Sequence, residues 1–216
     1  KDIYEYFSDL TDARRKVPTE DLASYIANGR IDNEFLPYKE LISYYTIIAS
    51  AGHDTTRNAI TGGLHGLLTH PHQLARFKEI VEDDDAVKLA IEEMIRWSTP
   101  VAQFARTATR DCQLRGQHIK KGDTLGLMYA AANFDEEVFD NPHEFNIERK
   151  PNRHLSFGTG PHQCLGLLLA RLEMRIFFRQ FIPRIKSIDL LDEPERLQAS
   201  FVHGLKHLPI RYQLIP

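Results

Sequence analysis

Apolar residues recur every three to four positions along most of the first hundred residues, a spacing that places them on one face of a helix. The pattern predicts a long helix from Lys39 to His70. Pro71 ends it, because proline cannot continue the helical hydrogen bonding. Two shorter amphipathic helices follow, in HPHQLARFKEIV and in DAVKLAIEEMIRWS, and the second is expected to end before Pro100.

Upstream of the long helix, the chain predicts two further helices on either side of Val17-Pro18. Thr19 is the expected N-cap of the second one, with Asp21 in its first turn, because a side-chain oxygen at that position accepts from a free backbone N–H.

The pattern changes after Pro100. The segment AQFARTATRDCQLRGQHIKKGDTLGLMYAAAN contains β-branched and aromatic residues punctuated by Gly116 and Gly122, which predicts a small twisted antiparallel sheet. FDNPHEFNIERKPNRH is typical of an irregular connector, LLLARLEMRIFFRQF of a helix, and FVHGLKHLPIRYQLIP of short strands. The predicted fold class is mainly α with a minor antiparallel β region.

Composition narrows the function classes. The 216 residues are 42% hydrophobic and 26% charged, with a net charge of −3, so nucleic acid is not the expected partner. No signal peptide and no apolar run of about 20 residues is present, so no membrane segment is predicted in this chain. Cys112 and Cys164 are therefore expected to be free thiols, and the expected location is the cytoplasm.

The segment FGTGPHQCLG, residues 157–166, places Cys164 just before a predicted helix. A helix N-terminus favours the thiolate, and the glycines allow the backbone to approach a flat ligand closely. Such a thiolate suits an axial iron position. A buried structural cysteine and a redox thiol are alternatives, although no second cysteine lies nearby. A zinc site is another alternative, although the spacing fits no common zinc pattern; its ligands would be His143, His154, His162 and Cys164.

At every defined position FGTGPHQCLG resembles the haem-ligand loop of the cytochrome P450 superfamily, the haem-thiolate monooxygenases. The resemblance implies haem b as the cofactor and Cys164 as the proximal iron ligand. It also implies that Phe157 and Gly158 contact the haem, and that His162 and Arg106 meet its propionates. Cys112, in a charged turn-like stretch, is expected to have a structural role.

A second motif, AGHDTT, places Asp54 and Thr55 in an otherwise apolar helical stretch. A threonine there can bond the carbonyl of Ala51 and bend the helix into a notch. A simpler alternative is that Asp54 is the N-cap of a helix beginning at Thr55. The resemblance implies that Asp54 and Thr55 are the acid–alcohol pair that delivers protons during oxygen activation.

A third motif, EEMIRW, sets Glu93 and Arg96 on one helical face, where such pairs are often only surface contacts. The resemblance implies instead a buried structural network of Glu93, Arg96 and Arg149, the last from the connector. The motifs follow one another along this chain in the same order as in members of the family.

The resemblance implies insertion of one oxygen atom from O2 into a C–H bond, with NAD(P)H electrons arriving through ferredoxin and ferredoxin reductase or equivalent donors. Apart from Ser50, the family's pocket positions carry apolar residues, which favours a small apolar substrate such as a terpene or steroid. These apolar positions are Ile47, Ala51, Val101, Ala102, Phe201 and Val202. Peroxide-using peroxygenases and non-oxidative dehydratases or isomerases share the loop but tend to lack the acid–alcohol pair.

Family members are about twice this length, and the chain resembles only their C-terminal half. Residues 1–216 are therefore expected to form the C-terminal haem-binding part of a single domain. The sequence is compatible both with a fragment of a complete enzyme and with a truncated haem-binding product that does not turn over.

Overall fold

The computed structural model describes residues 2–216. That part of the chain contains seven α-helices and ten short strands, so the predicted fold class is confirmed. The helices are α1 (Ile3–Lys16), α2 (Leu22–Asn28), α3 (Tyr38–Thr69), α4 (Pro71–Ile80), α5 (Asp84–Ser98), α6 (Tyr129–Ala132) and α7 (Leu167–Phe181). The strands are β1 (Arg30–Ile31), β2 (Glu34–Phe35), β3 (Gln103–Thr107), β4 (Cys112–Leu114), β5 (Gln117–Ile119), β6 (Thr124–Met128), β7 (Ile185–Leu190), β8 (Glu195–Arg196), β9 (Leu205–His207) and β10 (Ile210–Leu214).

The chain divides into two compact units, and the boundary between Asp54 and Thr55 falls inside α3. Helix α3 is continuous from Tyr38 to Thr69. The alternative in which Asp54 caps a helix that begins at Thr55 is therefore wrong, because both residues already lie in the middle of a helix.

The first unit contains α1, α2, the β1–β2 hairpin and the first part of α3. The N-cap prediction for α2 was wrong by two residues. Asp21, not Thr19, is the cap, and its side chain accepts from the N–H of Ser24 at 2.7 Å. Thr19 instead donates its own N–H to the Ser24 hydroxyl at 2.8 Å, which completes the turn before the helix.

In the second unit, the core lies among α4, α5, α7 and the second part of α3. Two glycines bring α3 and α5 close together. A Cβ on Gly62 would lie 2.6 Å from the Cβ of Ser98, and one on Gly63 would lie 2.9 Å from the Cβ of Met94. Side chains at these two positions would therefore push α5 away from α3.

The β region consists of separate two-stranded antiparallel pairs rather than the one small sheet that the alternation predicts. The β4–β5 hairpin is inserted in the chain between the paired strands β3 and β6. Residues 129–132, expected in the sheet, form the helix α6 instead. Near the C-terminus, β10 and β9 occur where strands were predicted, but their partners β7 and β8 were not predicted. Gly116 and Gly122 have φ values of 82° and 93°, as turn residues should.

Within residues 2–216, no helix combines the length and the apolar character that a membrane crossing requires, and this includes the 32-residue α3.

Candidate functional site

The loop before α7 folds back on itself around two glycines. Gly158 and Gly160 have φ values of 65° and 69°, in the left-handed region that favours glycine. The N–H of Gly158 donates to the carbonyl of Leu155, and the N–H of Cys164 donates to the carbonyl of Phe157, both at 2.8 Å. These bonds close a compact loop of residues 155–164 that fixes the backbone of the cysteine.

The Cys164 side chain is exposed at the mouth of α7, whose first helical residue is Leu167. The N-cap is Gly166, and a Cβ there would lie 4.0 Å from the Cys164 sulfur. Glycine therefore keeps one side of the sulfur clear, while the helix N-terminus stabilises negative charge on it. An exposed cysteine sulfur with open space beside it is suited to binding a metal.

The residues of the alternative zinc site are not gathered into one cluster. Among the described residues, no group of three or more histidine, cysteine or acidic side chains is placed to hold a metal ion. His154 contacts a carboxylate oxygen of Glu92 at 3.0 Å, and His143 stacks on Phe134 with ring centroids 5.5 Å apart. The zinc alternative is therefore wrong. Cys164 and Cys112 are both free thiols.

A buried asparagine attaches the start of the cysteine loop to the core. The Asn133 amide accepts from the N–H of Leu155 at 2.7 Å and donates to the Ser156 hydroxyl at 2.8 Å. The same hydroxyl donates to the carbonyl of Ile95, near the end of α5, at 3.1 Å. Sequence reasoning missed Asn133, because its partners lie 22 and 23 residues away in an irregular segment.

The sequence also did not predict a second set of contacts that holds the cysteine loop in place. The Glu92 carboxylate receives two hydrogen bonds from Arg171 on α7, at 2.6 and 2.7 Å, besides its contact with His154. The Arg171 guanidinium in turn lies over the Phe157 ring, 4.6 Å from its centroid. Glu92 thus links α5, α7 and the loop. The only signal in the sequence was the paired glutamates of EEMIRW, of which only the second was singled out.

These contacts change the ionisation of Glu92. Burial opposes ionisation, but hydrogen bonds from His154 and Arg171 outweigh it and lower the pKa of Glu92 to about 2. Because the folded-state pKa lies below the unfolded value, the ionised carboxylate stabilises the fold above about pH 4.5. That contribution is lost as the pH falls toward 2.

We therefore expect Glu92→Gln to lower the free energy of unfolding at pH 7 by at most about 3 kcal/mol. The difference from wild type should shrink between pH 4.5 and pH 2, where wild type loses the same contribution. Urea unfolding at several pH values measures both effects. Glu136→Gln, at an exposed position between α6 and the connector, is the control. A difference that stayed constant from pH 7 to pH 3 would contradict the proposed ionic contribution.

Glu93, Arg96 and Arg149 lie together in the core. Arg96 donates to the Glu93 carboxylate at 2.8 and 2.9 Å, and Arg149 donates to it at 3.1 Å. The side chains of Glu93 and Arg96 are fully buried, and that of Arg149 is 8% exposed. Both guanidinium groups also donate to carbonyls of the irregular connector, including that of Glu144. The two arginines thus hold the connector, which contains no helix or strand, by its backbone carbonyls.

Arg106 and His162 were predicted to meet the propionates of the haem. Arg106 lies on β3 and donates to the carbonyl of Ala105 at 2.8 Å, and His162 is exposed in the short 3-10 turn before Cys164. Within residues 2–216 neither side chain forms an ion pair with a carboxylate. Both are therefore open to an anionic group of a ligand.

Four of the predicted pocket residues come together in the second unit. Val101 and Val202 form an isolated antiparallel bridge, and the N–H of Ala102 donates to the carbonyl of Phe201 at 2.9 Å. The Phe201 ring is 47% exposed and packs edge-on against Phe104. The other two, Ile47 and Ala51, are exposed residues of α3 in the first unit.

Asp54 and Thr55 are consecutive residues in the middle of α3. The Asp54 carboxylate contacts the His53 ring at 3.2 Å and is 52% exposed, whereas Thr55 is half-buried. Water therefore reaches the Asp54 carboxylate, whereas the Thr55 side chain is partly shielded from it.

Comparison with known proteins shows which family the chain resembles. The family model described as Cytochrome P450 matches residues 5–213. "Cytochrome P450-terp" of Pseudomonas sp is 46% identical over 97% of this chain and 48% of its own length. The steroid C26-monooxygenase of Rhodococcus jostii (strain RHA1) is 38% identical over 98% of this chain and 44% of its own. The crystal structure of CYP108D1 from Novosphingobium aromaticivorans DSM12444 matches with a TM-score of 0.92 and 45% identity, covering 99% of this chain and 51% of that one.

The structure places an exposed cysteine at the mouth of α7 and a buried glutamate–arginine network behind it. The chain belongs to the cytochrome P450 family. It spans about half the length of the curated relatives that it matches. The family implies haem, and the chemistry of the loop fits it, because the Cys164 sulfur is exposed and Gly166 leaves space beside it.

Proposed function

We propose that the protein is a haem-thiolate monooxygenase and that residues 1–216 form the C-terminal haem-binding part of its single catalytic domain. The observation that carries the proposal is the exposed Cys164 thiol at the N-terminus of α7, in a loop shaped by Gly158 and Gly160. Haem bound there supplies dioxygen activation, in which one oxygen atom enters a C–H bond and the other leaves as water.

In this proposal, each residue of the site has a physical task. The Cys164 thiolate holds the iron, and Phe157 and Gly158 contact the haem face at the loop. His162 and Arg106 bind the propionates, which is supported by the exposed position of His162 and by the absence of a carboxylate partner for Arg106 within the described residues.

Asp54 and Thr55 handle protons. The Asp54 carboxylate takes a proton from water and passes it on, and the Thr55 hydroxyl donates a hydrogen bond that directs where the proton goes. The exposed position of Asp54 and the half-buried position of Thr55 support this division of roles.

The proposed substrate is a small apolar molecule, a terpene or a steroid. Two observations support it: the apolar cluster of Val101, Ala102, Phe201 and Val202, and the names of the relatives, which refer to terp and to steroids. Two electrons from NAD(P)H would arrive through a ferredoxin and its reductase or an equivalent pair, with O2 as the second substrate.

Thr55→Ala tests the function. If the hydroxyl directs a proton, the variant should still bind haem and consume NAD(P)H, but most of the electrons should appear in hydrogen peroxide rather than in product. The measurement is product and peroxide per NAD(P)H in the full-length protein with redox partners. Thr61→Ala is a matched control, because Thr61 makes a back-bond to the carbonyl of Arg57 two turns further along α3. Its coupling should remain at the wild-type value.

Asp54→Asn should behave differently from Thr55→Ala. It removes the acid itself, so O2 consumption should slow on the order of 100-fold, a typical size for loss of general acid catalysis. Wild-type coupling in Thr55→Ala together with wild-type turnover in Asp54→Asn would overturn the proton-delivery roles. A peroxygenase or a non-oxidative reaction would then be the better proposal.

A further inference from the structure

Tyr129 places a phenol hydroxyl against the cysteine loop. It is the first residue of α6, directly after β6, and it is 8% exposed. A Cβ on Gly158 would lie 3.0 Å from the Tyr129 hydroxyl oxygen and 3.6 Å from the carbonyl oxygen of His162. The hydroxyl therefore lies beside the loop backbone, on the side of Gly158 that also faces His162.

The Tyr129 hydroxyl has no hydrogen-bond partner within residues 2–216, although buried tyrosine hydroxyls usually have one. Tyr45 is the other buried tyrosine of the described chain, and its hydroxyl donates to the carbonyl of Ala23 at 2.8 Å. Unlike the Asn58 amide, which is unpartnered and sealed from solvent, the Tyr129 hydroxyl retains accessible area. A group bound beside the loop can therefore reach it.

The Tyr129 ring lies on the same side of the β3–β6 pair as Arg106. Alternate residues of a strand point to the same face, so Phe104 and Arg106 share one face of β3. The Phe104 ring contacts the Tyr129 ring, with centroids 5.7 Å apart. Tyr129 thus adds a neutral hydrogen-bond donor to the part of the site to which Arg106 and His162 also belong.

We propose that Tyr129 is a cofactor-binding residue, whose hydroxyl donates a hydrogen bond to a haem propionate beside Arg106 and His162. The proposal rests on the proposed haem binding at Cys164. A carboxylate accepts several hydrogen bonds, and an O–H donor to an ionised oxygen forms a bond roughly twice as strong as one between neutral groups. Tyr129 holds the cofactor in place and takes no part in the proton delivery assigned to Asp54 and Thr55.

Tyr129→Phe removes the hydroxyl and keeps the ring that packs on Phe104. The measurement is the rate at which the full-length variant, loaded with haem, releases it to an excess of apomyoglobin. Since a hydrogen bond to a charged group is lost, release should be about tenfold faster than in wild type. Tyr212→Phe, at an exposed position of β10, is the control and should release haem at the wild-type rate.

Haem dimethyl ester separates a propionate contact from a packing effect. It keeps the iron and the ring of haem but carries no carboxylate. When wild type and Tyr129→Phe are both loaded with the ester, they should release it at nearly the same rate. In resonance Raman spectra of the protein loaded with ordinary haem, the propionate bending mode should shift in Tyr129→Phe and stay unchanged in Tyr212→Phe.

Equal rates of haem release in wild type and Tyr129→Phe would overturn the proposal. A difference of the same size with haem dimethyl ester would also overturn it, because the hydroxyl would then act through the packing of the loop on Gly158. The red-shifted Soret band of the reduced carbon monoxide complex tests the proposed function separately. A normal band together with no effect of Tyr129→Phe contradicts only the role of Tyr129, whereas a wild-type protein that binds no haem contradicts both proposals.

Discussion

Cys164→Ser should abolish the red-shifted Soret band of the reduced carbon monoxide complex. That band depends on a thiolate ligand of the haem iron, and a serine hydroxyl at the same backbone position would not supply one. The backbone of the loop should survive the change, since the Cys164 N–H still donates to the Phe157 carbonyl. The expected result is therefore loss of the band in a protein that remains folded, measured by difference spectroscopy and circular dichroism of the full-length protein.

Cys112→Ser is the matched control. Cys112 is also exposed and free, but it lies at the start of β4 rather than at the mouth of a helix. It should keep the full band per haem. An unchanged band in Cys164→Ser would show that another residue binds the iron, and loss of the band in Cys112→Ser would assign the ligand to the other thiol.

The helices were the most predictable part of the fold. The apolar repeat and Pro71 defined α3 to within one residue at each end, and the run LLLARLEMRIFFRQF is the helix α7 as the structure has it. Local hydrogen bonding determines such elements, so their signals lie within the segment itself. The same reasoning failed at α2, where Thr19 and Asp21 are both acceptable caps.

Strand pairing was less predictable because it depends on residues far apart in the chain. β7 pairs with β10 across about twenty intervening residues, and nothing within IKSIDL indicates that partner. The segment before α6 was expected to continue as sheet. It turns into a helix at Tyr129, whose hydroxyl oxygen would lie 3.0 Å from a Cβ on Gly158. A contact with the cysteine loop thus replaces strand pairing there.

The site, like the fold, could be predicted only where the signal lies within one segment of the sequence. The motif predicted the cysteine and its glycines, but the anchors of the loop, Asn133 and the Glu92–Arg171 pair, were found only in the structure. Asparagine, glutamate and arginine are common on surfaces, and their sequence context does not show which of them is buried. In this fold Asn133 and the Glu92–Arg171 pair each connect the loop to α5. The exposed sulfur of the loop therefore has a fixed position.

The buried network around Glu93 is expected to be the most important of these supports for stability. Arg96→Ala removes both of its hydrogen bonds to Glu93 and its bonds to the carbonyls of Asn133 and Pro142. The Glu93 carboxylate then keeps only part of its compensation in a fully buried position. Removing one partner of a buried pair destabilises a protein by about 3–5 kcal/mol, a large fraction of a typical total of about 5–15 kcal/mol.

We therefore expect Arg96→Ala to yield little haem-loaded protein and to lower its melting temperature, measured by haem content per chain and by thermal unfolding. Arg149→Ala should have a smaller effect, because Glu93 retains the two shorter bonds from Arg96.

Arg76→Ala is the matched surface control. Arg76 also bridges two carboxylates, Glu79 and Glu148, but is 43% exposed, so its loss should change stability by less than about 1 kcal/mol. Equal melting temperatures for Arg96→Ala and Arg76→Ala would contradict this prediction. They would show that the buried Glu93 network contributes no more to stability than an exposed salt bridge.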